Sequence, residues 1–242
     1  MHQRIAALMA VAVAVGVGAV HAASAADIPA KAPAYKSPAA VVAYNWSGFY
    51  VGANAGAAWQ RSCWTFLTGS VDEGCHDDTA VTAGGQLGVN WQTGNWVFGL
   101  EASGNWANLK ASSVSTGFPT FTNETRTDAI GLFTGRVGWA WSNALAYVKG
   151  GAALTNNEYR AFVTATPSAF SHVGDVRWGW TVGGGLEYGF APNWSAAVEY
   201  DYVDTGAKDE GIPGDNVFDR ITQRIHMVTL RVNYRFAPWL WR

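Results

Sequence analysis

Eight charged residues recur within stretches that are otherwise apolar or rich in glycine: Glu101, Arg136, Lys149, Glu187, Glu199, Asp201, Arg231 and Arg235. Acids and bases so distributed suit mutual pairing in a space closed to water, or the lining of an ion-selective path. Cys63 and Cys75 are the only cysteines, and in an exported chain they are expected to form a disulfide. Closing that loop contributes about 3 kcal/mol. The alternatives are free thiols or a metal held with His76, Asp77 and Asp78, though the spacing matches no recognised ligand motif. Asp201, Asp204 and His226 are the candidates for acid and base work, without a placed nucleophile or second convergent group. His76 and His172 read as surface histidines. No Ser-centred elbow, paired metal-ligand motif or phosphate-cradling loop is present, so no catalytic, cofactor or metal residue is assigned.

Strands must position these residues. From Trp46 onward the sequence has period two, the spacing at which successive side chains face opposite sides of a sheet. Trp180 to Phe190 alternates Trp180, Val182, Gly184, Leu186, Tyr188 and Phe190 with Thr181, Gly183, Gly185, Glu187 and Gly189. Val228 to Phe236, Trp194 to Tyr202 and Trp96 to Asn105 repeat the pattern, and Phe49 to Gln60, Val81 to Gln92, Ala129 to Trp141 and Ala144 to Leu154 complete eight segments. In the last of these the register is ambiguous, because Leu145 and Tyr147 share parity with Lys149.

Short turns at Thr93-Gly94-Asn95, Ser142-Asn143 and Ala191-Pro192-Asn193 are interleaved with long connections near Arg61 to Thr79, Ala107 to Arg126, Thr155 to Val176 and Asp204 to Gln223. That rhythm describes an all-β, closed, antiparallel, eight-stranded transmembrane barrel with up-and-down topology. An even strand count puts the N-terminal linker and the C-terminus on the short-turn side, expected to be the periplasm, and the long loops outside the cell. The first long connection carries Asp72, Glu73, Asp77 and Asp78 against Arg61. The fourth carries Asp204, Asp209, Glu210, Asp215 and Asp219 against Lys208 and Arg220, so each nets −3. Solvated loop tips tolerate such charge, and binding of a cation or a basic partner is the sharper reading.

Composition agrees with a lipid-facing barrel. Of 242 residues, 49% are hydrophobic and only 14% charged, with 28 Gly and 13 Trp. A soluble domain carries roughly 25% charge. Disorder is excluded by the same figures, and a sequence pI near 6.2 leaves no basic surplus for nucleic acid. A soluble barrel such as a lipocalin would crowd several Trp into a narrow lumen. With apolar residues facing lipid, Trp96, Trp106, Trp139, Trp141, Trp194, Tyr202, Tyr234 and Phe236 fall near strand ends as aromatic girdles. The eight charges then face a lumen that, in an eight-stranded barrel, is only wide enough to be filled by side chains. Glu187 and Glu199 are expected to share Arg231 or Arg136, and the lumen glycines leave room for these long side chains.

Met1 to Ala25 has a basic start, an apolar run and small residues at Ala23, Ser24 and Ala25, the layout of a secretory signal peptide. Residues 26–44 follow as a Pro/Ala/Lys linker, 45–236 as the barrel and 237–242 as a tail.

The mature start Ala26-Asp27-Ile28-Pro29-Ala30, the entry Tyr44-Asn45-Trp46-Ser47-Gly48-Phe49-Tyr50-Val51-Gly52 and the end Arg231-Val232-Asn233-Tyr234-Arg235-Phe236 resemble the alphaproteobacterial outer-membrane immunogenic protein family. The family is similar in fold to the OmpA transmembrane domain. Val228 to Phe236 also resembles the C-terminal signal read by the outer-membrane assembly machinery, although this chain continues through Arg242. The resemblance implies a small, surface-exposed barrel that supports envelope integrity and is recognised by host immunity. Some relatives bind hemin, for which His76, His172 and His226 would be the candidate ligands here. Others are joined to peptidoglycan through the mature N-terminal Ala, a role that only Ala26 could carry. The expected partners are outer-membrane lipid, the assembly machinery with periplasmic chaperones, and peptidoglycan.

Overall fold

The computed structural model describes residues 44–67, 71–114, 120–163, 166–211 and 218–236. The expected signal peptide, all of the linker but Tyr44, and the tail after Phe236 lie outside the described residues.

The chain forms β1 (Gly48–Phe66), β2 (Val71–Thr93), β3 (Trp96–Val114), β4 (Phe121–Trp141), β5 (Ala144–Val163), β6 (Thr166–Ala191), β7 (Trp194–Gly211) and β8 (Phe218–Arg235). Each strand is antiparallel to its sequence neighbours, and β8 returns to β1, with Tyr50 opposite Arg235 and Arg61 opposite Arg224. Closure leaves no sheet edge, so backbone groups are satisfied within the sheet, the condition for crossing hydrocarbon with strands. Among the described residues no helix is long and apolar enough to cross a membrane. At one end, two-residue turns join the strands, and Gly94 (φ 61°) and Ser142 (φ 54°) take the left-handed conformation that tight hairpins require.

The opposite end departs from expectation. The strands run for 18 to 26 residues, about twice the 9–11 that a tilted membrane strand needs. The four segments read as long connections are largely ladder: the links shrink to residues 67–70, 115–120, 164–165 and 212–217. Hydrophobic alternation fades there because polar residues occupy both faces, as with Gln60, Arg61 and Ser62. Backbone N–H and C=O groups still pair, since hydrogen bonding does not depend on which side chains they carry.

Parity sorts the side chains into two populations. Even positions of β1 and β2 and odd positions of β3 and β5 to β8 point inward and are buried. In β5 this settles the ambiguous register: Leu145, Tyr147 and Lys149 all face inward. Strand β4 changes phase at a bulge. Thr127 pairs with Asn157 and Ala129 with Asn156, leaving Asp128 without an opposite residue. Thr125 and Thr127 therefore share the interior with Ile130, Leu132, Thr134 and Arg136 despite their different parity.

Outward-facing aromatics ring both ends of an apolar band. Trp96, Trp139, Trp141, Trp194, Tyr234 and Phe236 stand at the short-turn end, with Trp96 edge-on to Trp139 and Trp194 edge-on to Tyr234, both at 5.0 Å. Trp106 and Tyr202 stand at the hairpin end together with Trp59, Trp178 and Trp180, and Trp180 packs on Tyr202 at 5.4 Å. Trp96 and Trp106 are ten residues apart on β3, which at a tilt of 35–45° gives a band about 25 Å high. Not every Trp belongs to these rings, because Trp46 and Trp64 are buried inside the barrel.

Candidate functional site in the barrel lumen

Inward side chains stack in layers, and β8 samples each of them. From the short-turn end upward come Arg235, Asn233, Arg231 and Thr229, then Met227 and Ile225, then Gln223 and Ile221. The floor is Tyr44, Trp46, Val97, Ala140, Leu145 and Tyr147. Arg235 lies over the Tyr44 ring at 4.5 Å and donates to the carbonyls of Ser47 and Pro192. It thus caps the short-turn end and makes no ion pair among the described residues.

The next layer holds the other seven charges. Lys149 Nζ lies 2.7 Å from Glu199 Oε1, 3.1 Å from Asp201 Oδ1 and 3.4 Å from Glu101 Oε1. Arg231 reaches Glu101 at 2.8 Å and is paired with Glu199. Arg136 lies between the Tyr50 and Tyr147 rings, with Nη1 3.4 Å from Glu187 and Nε donating to Asn90 at 2.9 Å. The acids collect further donors: Tyr50 to Glu101 at 2.7 Å, Tyr147 to Glu199 at 2.6 Å, and Ser195 and Asn233 to Glu187 at 2.5 and 2.9 Å. Four carboxylates therefore share three cations. All seven ionic side chains are at most 3% exposed. Moving an ion out of water costs several kcal/mol, which only such dense pairing offsets.

Glycine makes these contacts geometrically possible. Partners on next-nearest strands meet across an inward glycine that is the register neighbour of both. Tyr50 and Glu101 meet across Gly88, Asn90 and Arg136 across Gly99, Gln86 and Asn233 across Gly52, and Lys149 and Asp201 across Gly183. A Cβ on any of the four would lie 2.5 Å or less from one of the flanking polar groups. The inward glycines thus form a lattice of openings through which alternate strands bond.

Above the ions lies a layer that the sequence reading assigned no role. Ala58, Ala107, Leu109, Ile130, Leu132, Ala153, Val203, Ile225 and Met227 form one buried apolar cluster inside the barrel. Parity carried the signal, since Met227 and Ile225 are in phase with Arg231. Beyond it, the Thr127 hydroxyl lies 2.9 Å from Gln60 Oε1 and 2.7 Å from Asn157 Oδ1, with one proton to donate between them, and accepts from Gln223 at 2.9 Å. Trp64 and Ile221 pack together above this layer. Tyr50, Tyr147, Asn90, Ser195, Gln86 and Asn233 also escaped the sequence reading as members of the network, although each shares parity with a neighbouring inward residue on its strand.

The acid and base candidates do not converge. Asp201 faces the lumen and meets Lys149, whereas His226 is on the outward face, its Nδ1 2.7 Å from the Tyr200 hydroxyl. Asp204 accepts from Tyr202 at 3.1 Å and faces Arg224 at 3.6 Å. His76 lies in β2 opposite Ser62 and His172 in β6 opposite Arg160, and their side chains fall outside the described set. Cys63 and Cys75 are register partners joined by a disulfide, with Cα atoms 4.1 Å apart. In the acidic fourth hairpin, Arg220 donates to both carboxylate oxygens of Asp209 at 2.8 and 3.0 Å and holds its carboxyl below the usual range.

Residues 10–236 match the family described as Outer membrane protein beta-barrel domain. The chain is 30% identical to the 31 kDa outer-membrane immunogenic protein of Brucella melitensis over 234 residues, covering 88% of this chain and 93% of that one. It is 28% identical to the 25 kDa outer-membrane immunogenic protein of Brucella abortus over 218 residues, covering 88% and 90%. Among solved structures it is similar to the outer membrane protein OprG of Pseudomonas aeruginosa, at 10% identity and a TM-score of 0.44, covering 80% of this chain and 99% of that one. The chain belongs to the outer membrane protein β-barrel domain family and, within it, groups with the outer-membrane immunogenic proteins.

Proposed function

We propose that this outer-membrane barrel is a structural envelope protein rather than an enzyme or an open pore. The observation that carries this reading is the buried layer of seven interlocked charges, with an apolar layer directly above it. A permeating ion would have to displace paired side chains and then pass the buried apolar cluster above them, and both steps are costly. The lumen is therefore closed. In planar bilayers the purified protein should give no discrete conductance, and steady single-channel steps from the unaltered chain would overturn closure.

The short-turn end and both termini face the periplasm, and the four long hairpins face outward, where they form the surface recognised as an antigen. Labelling of a cysteine introduced in the fourth hairpin of intact cells by a membrane-impermeant reagent should succeed. Protection from the reagent would reverse the orientation. The assembly machinery and periplasmic chaperones deliver the chain, and cleavage after Ala25 would expose Ala26 for attachment to peptidoglycan. Protein so attached stays with sacculi boiled in detergent until lysozyme is added, and complete release beforehand would refute the link. The structural role itself predicts that a deletion strain becomes sensitive to detergent and that the lumen-intact chain restores resistance.

A further inference from the structure

On the outward face of β7, β8, β1 and β2, two rows of side chains run in register. One row is Thr79, Trp59, His226 and Tyr202, with Trp59 stacked on His226 at 5.8 Å and Tyr202 edge-on to it at 5.1 Å. The next row toward the hairpin tips is Asp77, Arg61, Arg224 and Asp204. Two arginines are thus direct register partners on the same face of neighbouring strands. At that separation Cβ atoms are about 4.5–5.5 Å apart and like charges destabilise the sheet.

The chain places no carboxylate between them. Asp77 and Asp204 stand on the flanks, 3.7 Å from Arg61 Nε and 3.6 Å from Arg224 Nε. Among the described residues neither arginine donates a hydrogen bond, and their side chains are 63% and 58% exposed. Arg220, higher on the same face of β8, is instead chelated by Asp209. What Arg61 and Arg224 lack is an anion shared between two planar guanidinium forks, a geometry that fits a phosphate.

Height in the membrane selects the kind of phosphate. From Phe49 to Arg61, β1 climbs about 28–32 Å at a tilt of 35–45°, so the pair stands one rung beyond the aromatic ring, at headgroup level. Directly beneath it stand Trp59 and His226, and below those rings the outward face is low. Ala53 and Ala55 of β1 adjoin Gly85 and Ala83 of β2, while Ala57 faces the exposed Val81; the border is Val228, Leu230 and Val232 on β8 and Trp106 on β3. A Cβ at Gly85 would meet only the Gly52 carbonyl, at 3.3 Å. This apolar lane lies below the Trp59–His226 row, and those two rings stand between it and the arginine pair.

We infer that Arg61 and Arg224 together clamp the phosphate of a phosphorylated glycolipid in the outer leaflet. The leaflet rests on the orientation given above, whereas the phosphate chemistry does not. Bringing one dianionic group between the two cations replaces a repulsion by two charge-assisted pairs. The disulfide, one rung above, ties β1 to β2 beside this row.

The test uses the full folded protein in detergent with chelator present, titrated by native mass spectrometry with diphosphorylated lipid A, with the same lipid stripped of phosphate, and with inorganic phosphate. Phosphorylated lipid should bind at least ten-fold more tightly than either control. R61Q/R224Q should abolish that preference, R220Q should leave it unchanged, and D77N/D204N should strengthen it. All five positions are on the outer surface, and heat-modifiable gel mobility verifies that each variant folds. Equal binding of the stripped lipid, equal binding of inorganic phosphate, or an undiminished preference in R61Q/R224Q would overturn the clamp. Because the titration is blind to orientation, its failure leaves the cell-labelling result standing.

Discussion

Lys149 on β5 and Asp201 on β7 form a 3.1 Å ion pair across an intervening strand, and the residue of β6 in register with both is Gly183. The missing side chain is what lets the two meet. A lumen of this width can be crossed by long side chains only where the intermediate strand leaves space, so glycine placement and charge placement are one pattern.

Gly183→Ala should therefore damage the barrel far more than a surface Gly→Ala. The new Cβ would lie 2.4 Å from Asp201 Oδ1 and 2.5 Å from the Tyr200 carbonyl, and the second contact is backbone that cannot swing away. Overpacking of this kind costs about 1–3 kcal/mol, with more if the ion pair opens. Gly104→Ala, which meets nothing within 4 Å, should change stability by less than about 0.5 kcal/mol. Urea unfolding in lipid vesicles compares the two.

Arg231→Met should leave Glu199 and Glu101 short of a buried counter-charge and cost about 3–5 kcal/mol. Arg231→Met with Glu199→Gln should recover part of that loss, because the double variant leaves less uncompensated charge. A double-mutant cycle on unfolding midpoints measures the coupling, and strict additivity would show that the two residues do not act as a pair.

Replacing Cys63 and Cys75 by serine should cost about 2–3 kcal/mol at most, and the loss should be local. The bridge joins register partners beyond the aromatic ring, so the β1–β2 hairpin should become more sensitive to protease while heat-modifiable mobility of the barrel persists. A barrel that no longer folds would show that the bridge also directs strand pairing.

The Asp209–Arg220 pair should give the fourth hairpin an acid-sensitive contribution. Hydrogen bonds from Arg220 hold the Asp209 carboxyl below its ordinary value. A depressed acid stabilises fully above its unfolded value, about pH 4, and the contribution disappears as pH falls through the lowered folded value. Arg220→Gln should return Asp209 to the ordinary carboxylate range in a carbon-detected NMR titration, and added salt should weaken the pair because it is exposed.

The parts of this architecture that face lipid were legible in the sequence, because a greasy solvent on one side imposes period two. Trp180 to Phe190 and Val228 to Phe236 carry that phase without interruption. The upper halves of the strands were not legible, since Gln60, Arg61 and Ser62 offer a polar residue to either face and no period survives. Thr125 and Thr127 were hidden for a different reason: the bulge at Asp128 reverses the phase of β4 relative to Arg136, and nothing in the local sequence announces it. The charged residues could be listed from parity alone, but their pairing depends on register between strands far apart in sequence. Trp46 and Trp64 illustrate the limit of a residue-type rule, since both are inside the barrel while most Trp residues ring it.

A hairpin laddered nearly to its tip has a restricted arithmetic of insertion and deletion. Adding one residue to one strand would exchange lumen and outer faces for everything beyond it, unless a bulge such as that at Asp128 absorbs the change. Relatives that differ in hairpin height should therefore differ by whole rungs, two residues on each strand and about 6–7 Å of strand at a time, or else carry a compensating bulge. Odd-numbered length changes should be confined to the few residues at the tips. Alignments of this family should accordingly place gaps in pairs on facing strands, and the height of the barrel above the lipid should vary in steps.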